Sequence, residues 1–279
     1  MKLITLIENN QSSLEYLKYE HGLSIYIECD NKKILFDTGE SENFIKNAEA
    51  LKVDLTKLDY IVLSHAHYDH CGGLTSLLSN YSLSSTLCLN ENFFKFSDKF
   101  KFKEDVPIKY TGINFNSTII KEHNIKVDYL KKNCTNLTEK IYLFTNFTNK
   151  NKNEIIDQNM RYKLNEMYFT DDFSREVVLG IDTSAGLLLI VGCAHSGIMN
   201  IIEDIKKTTS KPIFGVIGGT HLSKASDERI LKTLEYFNQN NIKLAGLCHC
   251  SGDKTTEIFK KDFNGNFFIN NTGNTLDFI

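Results

Sequence analysis

Four times along this chain an apolar, strand-like run ends in a histidine-bearing turn and hands over to a helical pattern. Tyr60-Ile61-Val62-Leu63-Ser64 runs into His65-Ala66-His67-Tyr68-Asp69-His70. Leu187 to Ala194 ends at His195, followed by Ser196-Gly197 and an amphipathic segment from about Ile198 to Lys207. Ile213 to Ile217 leads through Gly218-Gly219-Thr220 to His221, and Ser226 or Asp227 can cap the helix behind it. Leu244 to Cys248 meets His249, then Cys250-Ser251-Gly252-Asp253 and a last helix. Alternating strands and helices predict an α/β fold, in which the carboxyl ends of strands gather on one rim where ligands bind. Four strand ends are therefore expected to meet at one metal centre.

The chemistry concentrates in the first of these turns. His65, His67 and His70 fall within six residues, with Asp69 between them. Side chains at i and i+2 can converge on one ion, while Asp69 and His70 can turn toward a second. Imidazole nitrogen and carboxylate oxygen suit zinc and other borderline divalent metals. A polar loop with solvated or capping histidines is the plainer alternative, and the density of ligand-type residues argues against it.

In order and spacing these motifs resemble the metallo-β-lactamase superfamily: H-x-H-x-D-H at His65, His67, Asp69 and His70, then His195, and a last histidine at His249. The Leu35-Phe36-Asp37-Thr38-Gly39 segment is similar to an earlier family motif, whose Asp supports the histidine cluster from behind. The glycines and histidines of Gly218-Gly219-Thr220-His221-Leu222 and Cys248-His249-Cys250-Ser251-Gly252 resemble the branch typified by a dihydropterin ribofuranosyl-aminobenzene phosphate synthase. The resemblance implies a four-layer αββα sandwich binding two divalent metal ions, zinc first, with manganese and iron as alternatives. It assigns His65, His67 and His195 to one ion and Asp69, His70 and His249 to the other. Where the family commonly has a bridging Asp, this chain has His221, whose neutral ring offers one nitrogen lone pair and cannot bridge as a carboxylate does. His221 is left to bind a single metal, contact a substrate anion or act as an acid or base.

The implied reaction is hydrolysis by a metal-bound hydroxide of an ester, lactone or phosphoester in a small anionic substrate. Asp69 and His221 are the candidate catalytic groups, Asp69 to orient the attacking water or accept its proton. Tyr68 is a candidate donor to a developing oxyanion, and the helix starts at Gly72-Gly73 and Ser196-Gly197 favour an anionic group. Two other classes fit part of the pattern. A diiron redox protein would typically carry Glu in place of His67 and an added flavodoxin domain; a non-catalytic metal-binding or sensor protein would have a closed coordination sphere.

With 279 residues, 41% hydrophobic and 24% charged, the chain is expected to form one large domain over 1–279, with an insertion at about 80–172 covering the metal site. The formal charge of −3 gives no general attraction to nucleic acid. The apolar run Leu3 to Ile7 is too short for a signal core or membrane span, and reads as the first strand. The odd count of seven cysteines, without a disulfide spacing, suggests a reducing cytoplasm. Cys71, Cys193, Cys248 and Cys250 lie beside proposed ligands; small buried side chains beneath the rim are preferred over thiolate ligation. Phe93 to Phe96 and Lys99 to Lys103 alternate aromatic with basic residues, the pattern of a half-buried strand with Phe inward and Lys outward rather than a nucleic-acid platform.

Overall fold

Strand pairing divides the protein into sheets whose parallel parts carry the histidine turns. The computed structural model describes residues 1–104 and 106–278. Two compact units result, one of Met1–Lys131, Asp157–Asp171 and Asn271–Ile279, the other of Lys132–Ile156 and Asp172–Asn270.

The first unit is built on a seven-stranded sheet whose order is Thr275–Asp277, Lys2–Ile7, Ser24–Cys29, Lys32–Phe36, Tyr60–Val62, Thr86–Asn90 and Lys126–Leu130. The first four strands pair antiparallel, and Asp30 and Asn31, both at positive φ, form the tight turn of a hairpin there. From Lys32–Phe36 onward the pairing is parallel. The Glu42 to Leu51 stripe forms a helix over Asn43–Ala50, burying Phe44, Ile45 and Ala48 with Leu35, Ile61, Leu74 and Leu77. A second sheet of this unit is antiparallel, in the order Met167–Thr170, Met160–Leu164, Lys99–Lys103 and Val106–Tyr110.

The second unit has a seven-stranded sheet ordered Asn266–Ile269, Leu244–Leu247, Ile213–Gly218, Gly186–Val191, Val178–Thr183, Ile141–Phe144 and Cys134–Asn136. Gly186–Val191, Ile213–Gly218 and Leu244–Leu247 run parallel, so His195, His221 and His249 follow the same ends of neighbouring strands. Helices Ile198–Thr209, Asp227–Gln239 and Asp253–Asp262 bury Ile201, Ile202, Ile205, Leu234, Phe237 and Phe259 in one core with Leu187, Leu189 and Val216. Ser226 caps the second of these helices, its Oγ accepting from the Arg229 amide at 3.3 Å.

The 80–172 segment contributes to both units. Its strands Thr86–Asn90 and Lys126–Leu130 extend the first unit's main sheet, Cys134–Asn136 and Ile141–Phe144 end that of the second, and its other strands form the four-stranded sheet of the first unit. The expected alternating strand at Phe93 to Phe96 is instead a short 3-10 turn over Phe94–Phe96. Lys99–Lys103 is a strand, but Lys99 is buried rather than outward, because the Asp171 carboxylate pairs with its ammonium. Among the described residues no helix is long and apolar enough to cross a membrane.

Gly218 marks how closely the strands of the second unit approach at their ends. It lies opposite Val191 at φ +128°, and an added Cβ would stand 1.9 Å from the Val191 carbonyl oxygen. Gly218→Ala is expected to destabilise the chain by at least the ~1–3 kcal/mol of a strained backbone position, read as a lowered midpoint of chemical unfolding.

Candidate metal centre

In the first unit the turn after Tyr60–Val62 is held from beneath by Asp37. Asp37 ends its own strand at φ +59° and is fully buried. Its Oδ1 accepts from the Ser64 amide at 2.7 Å, and its Oδ2 accepts from Ser64 Oγ at 2.7 Å and from His70 Nδ1 at 2.6 Å. A carboxylate on Nδ1 sets the tautomer of His70 and leaves Nε2 as the lone-pair nitrogen. His67, extended at φ −104°, precedes the short helix Tyr68–Cys71, which carries Asp69 and His70.

These side chains converge. His65 Nε2 lies 3.0 Å from His67 Nδ1, the His65 and His70 rings are 4.3 Å apart, and His70 Nε2 is 3.8 Å from Asp69 Oδ2. The edge of a tetrahedron with metal–nitrogen bonds of about 2.0–2.1 Å is about 3.3 Å, so the His65–His67 spacing fits two ligands of one ion. Burial, reinforced by His70 and His67, holds the His65 pKa well below its ordinary value and keeps the ring in the neutral, ligating form.

His21 joins this cluster without having stood out in the sequence. Its Nε2 is 3.1 Å from Asp69 Oδ2, and that hydrogen bond raises its pKa against the effect of burial. It sits on a loop with no periodic pattern, placed by Gly22 and Leu23; the Leu23 amide donates to the Asp69 carbonyl at 3.1 Å. A Cβ at Gly22 would meet that carbonyl at 2.4 Å.

In the second unit His195 and His221 face each other with ring centroids 4.1 Å apart, and Phe173 stacks on His195 at 4.0 Å. His195 and His249 are buried, and Ala194, His221 and His249 all have left-handed φ, between 52° and 53°. The turn at His195 is tied to Glu176, another residue with no motif around it. Its carboxyl accepts from the His195 amide at 3.2 Å, from the Ser196 amide at 2.8 Å, and from Ser196 Oγ. Burial pushes the Glu176 pKa up to about 7 despite these hydrogen bonds.

The cysteines divide by surroundings. Burial pushes the Cys71 thiol well up, and its Sγ donates to the His65 carbonyl at 3.1 Å. Burial acts the same way on Cys250, but its hydrogen bonds to Cys193 and His221 and the neighbouring His249 outweigh it and hold that thiol well below the ordinary range.

Comparison with known proteins agrees with the fold. The family model of the metallo-β-lactamase superfamily matches residues 18–114. The chain is 29% identical, across all of its length and 97% of the relative's, to the 7,8-dihydropterin-6-methyl-4-(β-D-ribofuranosyl)-aminobenzene-5'-phosphate synthase of Methanocaldococcus jannaschii. It is 30% identical to an uncharacterized protein of the same organism, over 90% of this chain and 91% of that one. The crystal structure of a metal-dependent hydrolase of the β-lactamase superfamily superposes with a TM-score of 0.85 at 29% identity, covering 100% of this chain and 99% of the other. The α/β class expected from the motifs is the one observed.

Glu176 carries a pH signature. A carboxyl whose folded pKa is about 7 against an ordinary 4.5 stabilises the fold fully below about pH 4.5, and this contribution is lost as pH rises through 7. In chelator-treated protein, Glu176→Gln, which keeps an acceptor for Ser196 but no charge, is expected to flatten the fall in stability between those limits, by an amount on the order of 3 kcal/mol. Urea unfolding of both chains across that window measures it.

Proposed function

Because this chain belongs to the metallo-β-lactamase superfamily, we infer that it is a metal-dependent hydrolase of an ester, lactone or phosphoester in a small anionic substrate. The observation that carries the reading is the buried convergence of His65, His67, Asp69 and His70 over Asp37. We assign His65, His67 and His195 to one divalent ion and Asp69, His70 and His249 to a second, with zinc the first candidate. Ions bound there would supply Lewis acidity, lowering the pKa of a water toward about 7 and polarising the scissile group.

The remaining work falls to the chain's own side chains. Asp69, oriented by its hydrogen bond from His21, is placed to accept a proton from the attacking water. The raised pKa of His21 extends the range over which it is positively charged, which favours an anionic substrate group. Burial raises the Tyr68 pKa and keeps its phenol protonated. With Lys109 Nζ 3.4 Å from its Oη, Tyr68 suits stabilisation of a developing oxyanion. Lys109 belongs to the 80–172 segment, and the Thr111 carbonyl of that segment accepts from the Tyr68 amide at 3.2 Å. These contacts support its proposed role as a cover over the histidine turn.

The full-length likeness to a synthase favours a second reading, in which the same ions activate a phosphate-bearing substrate for group transfer rather than hydrolysis. Metal content and turnover separate the possibilities. Protein purified without added metal should hold close to two equivalents by plasma mass spectrometry and cleave an activated phosphodiester or a lactone. His67→Ala should lose most of the metal and at least about 100-fold in kcat/KM. Asp37→Ala should weaken metal affinity about 10–100-fold. Full metal occupancy with no cleavage of either substrate would favour the synthase-type reading, and less than a tenth of an equivalent, not restored by zinc, manganese or iron, would refute both.

A further inference from the structure

The second unit holds a set of soft donors distinct in chemistry from imidazole and carboxylate. Cys193, His221 and Cys250 each offer a ligand atom, and these three atoms lie within 4.8 Å of one another. We propose that Cys193, His221 and Cys250 form a thiolate–imidazole site for one thiophilic, zinc-class ion.

The spacing suits such an ion. With zinc–sulfur bonds of about 2.3 Å, tetrahedral ligands stand about 3.6–3.8 Å apart, which small side-chain rotations reach from the observed separations. The three donors follow three neighbouring parallel strands, Gly186–Val191, Ile213–Gly218 and Leu244–Leu247, so their spacing is set by a sheet rather than by a mobile loop. Thr220 and Ser251, which flank two of the donors, are joined by hydrogen bonds to Ser251 Oγ from the Thr220 amide at 3.1 Å and between the hydroxyls at 3.0 Å.

Several features of the turn serve the sulfur atoms. The His221 amide donates to Cys250 Sγ at 3.2 Å, a bond that supports a ligating thiolate. His221 holds φ +52°, a conformation unusual for a residue with a Cβ. Its Nδ1 is buried and makes no hydrogen bond, which leaves a nitrogen lone pair or proton to be satisfied by something else. Gly219 keeps the space open, because a Cβ there would stand 2.5 Å from Cys250 Sγ. Two sulfurs and one imidazole make three protein ligands, the pattern of a zinc site with one open position. His221, which replaces the family's usual bridging Asp, thereby gains a role that an imidazole can fill.

The proposal does not depend on the hydrolase reading, and cobalt(II) separates the two. Added to the metal-free full-length protein, cobalt alone should produce the near-ultraviolet thiolate-to-cobalt charge-transfer absorption. Cys250→Ser and Cys193→Ser should each lose most of that band and weaken cobalt affinity at least tenfold. His67→Ala, which touches only the imidazole–carboxylate set, should retain it. A parent without the band, or a band undiminished in both serine variants, overturns the site. Alkylation by iodoacetamide, mapped by mass spectrometry on the unmutated chain, gives a check free of folding effects. Zinc should slow modification of Cys193 and Cys250 at least tenfold, and equal rates with and without zinc, or a Cys193–Cys250 disulfide that zinc fails to prevent, count against it.

Discussion

The buried carboxyl group of Asp37 is the tie on which the histidine turn of the first unit depends. It closes the strand Lys32–Phe36, whose Phe36 pairs in parallel register with Val62 of the next strand. From there it reaches across to the Ser64 amide, the Ser64 hydroxyl and His70 Nδ1, while the Thr38 amide next to it donates to the His70 carbonyl at 2.7 Å. Without Asp37, buried donors on Ser64 and His70 would lose their acceptor, at a cost of about 1–3 kcal/mol each. The orientation of a candidate ligand and the join between two strands are thus one interaction, and changing either changes both.

The strand ends that carry chemistry share another property. Asp37, Ala194, His221 and His249 all sit at left-handed φ without being glycine. Such residues cost of order 1–3 kcal/mol each and persist where their surroundings over-determine them. Here the surroundings are visible: Asp37 is held by its own hydrogen bonds, the turn at Ala194 by Glu176 through the His195 and Ser196 amides, and the turn at His221 by Cys250 and Ser251. A left-handed residue turns the chain sharply at the end of a strand, bringing side chains back over the rim instead of out into solvent. The same conformation occurs in ordinary turns such as Asp30-Asn31, but at these strand ends it falls where ligand-type side chains are presented.

Local pattern explains how much of this was legible in the residues. Apolar runs of four to eight residues followed by helical periodicity marked the strands before His65, His195, His221 and His249, and the helices behind three of them fall within a few residues of their expected bounds. The class of fold followed from that alternation. His21 and Glu176 were not legible, because each is a single polar residue in an aperiodic loop and acquires its meaning from a partner brought close only by folding. Asp69 lies far along the chain from His21, and the Ser196 amide is 20 positions from Glu176. The alternation at Lys99 misled about direction for the same reason: its partner Asp171 is 72 positions away, and a paired lysine can be buried where an unpaired one cannot. In 80–172 the chain mixes short strands that complete the main sheets with a separate antiparallel sheet, and composition alone does not distinguish them.

Cysteines near a metal-type motif differ by what faces their sulfur, not by their distance from the motif in sequence. Cys71 directly follows His70, yet its Sγ donates to the His65 carbonyl and burial keeps it a thiol, so it fills space beneath the turn. Cys250 directly follows His249, and its Sγ accepts from the His221 amide at 3.2 Å while donating to the Cys193 carbonyl at 3.6 Å. A backbone amide directed at a sulfur engages its lone pairs as it would those of a thiolate, and at Cys250 that amide contact is shorter than the one to the Cys193 carbonyl. The preference for space-filling cysteines suits Cys71, whereas the amide contact at Cys250 comes from the neighbouring strand end that carries His221. The harder donors around Asp69 and the softer donors around Cys250 favour different ions, so under the proposed assignment His221 serves a soft-metal site in the second unit while the first unit keeps its oxygen and nitrogen donors.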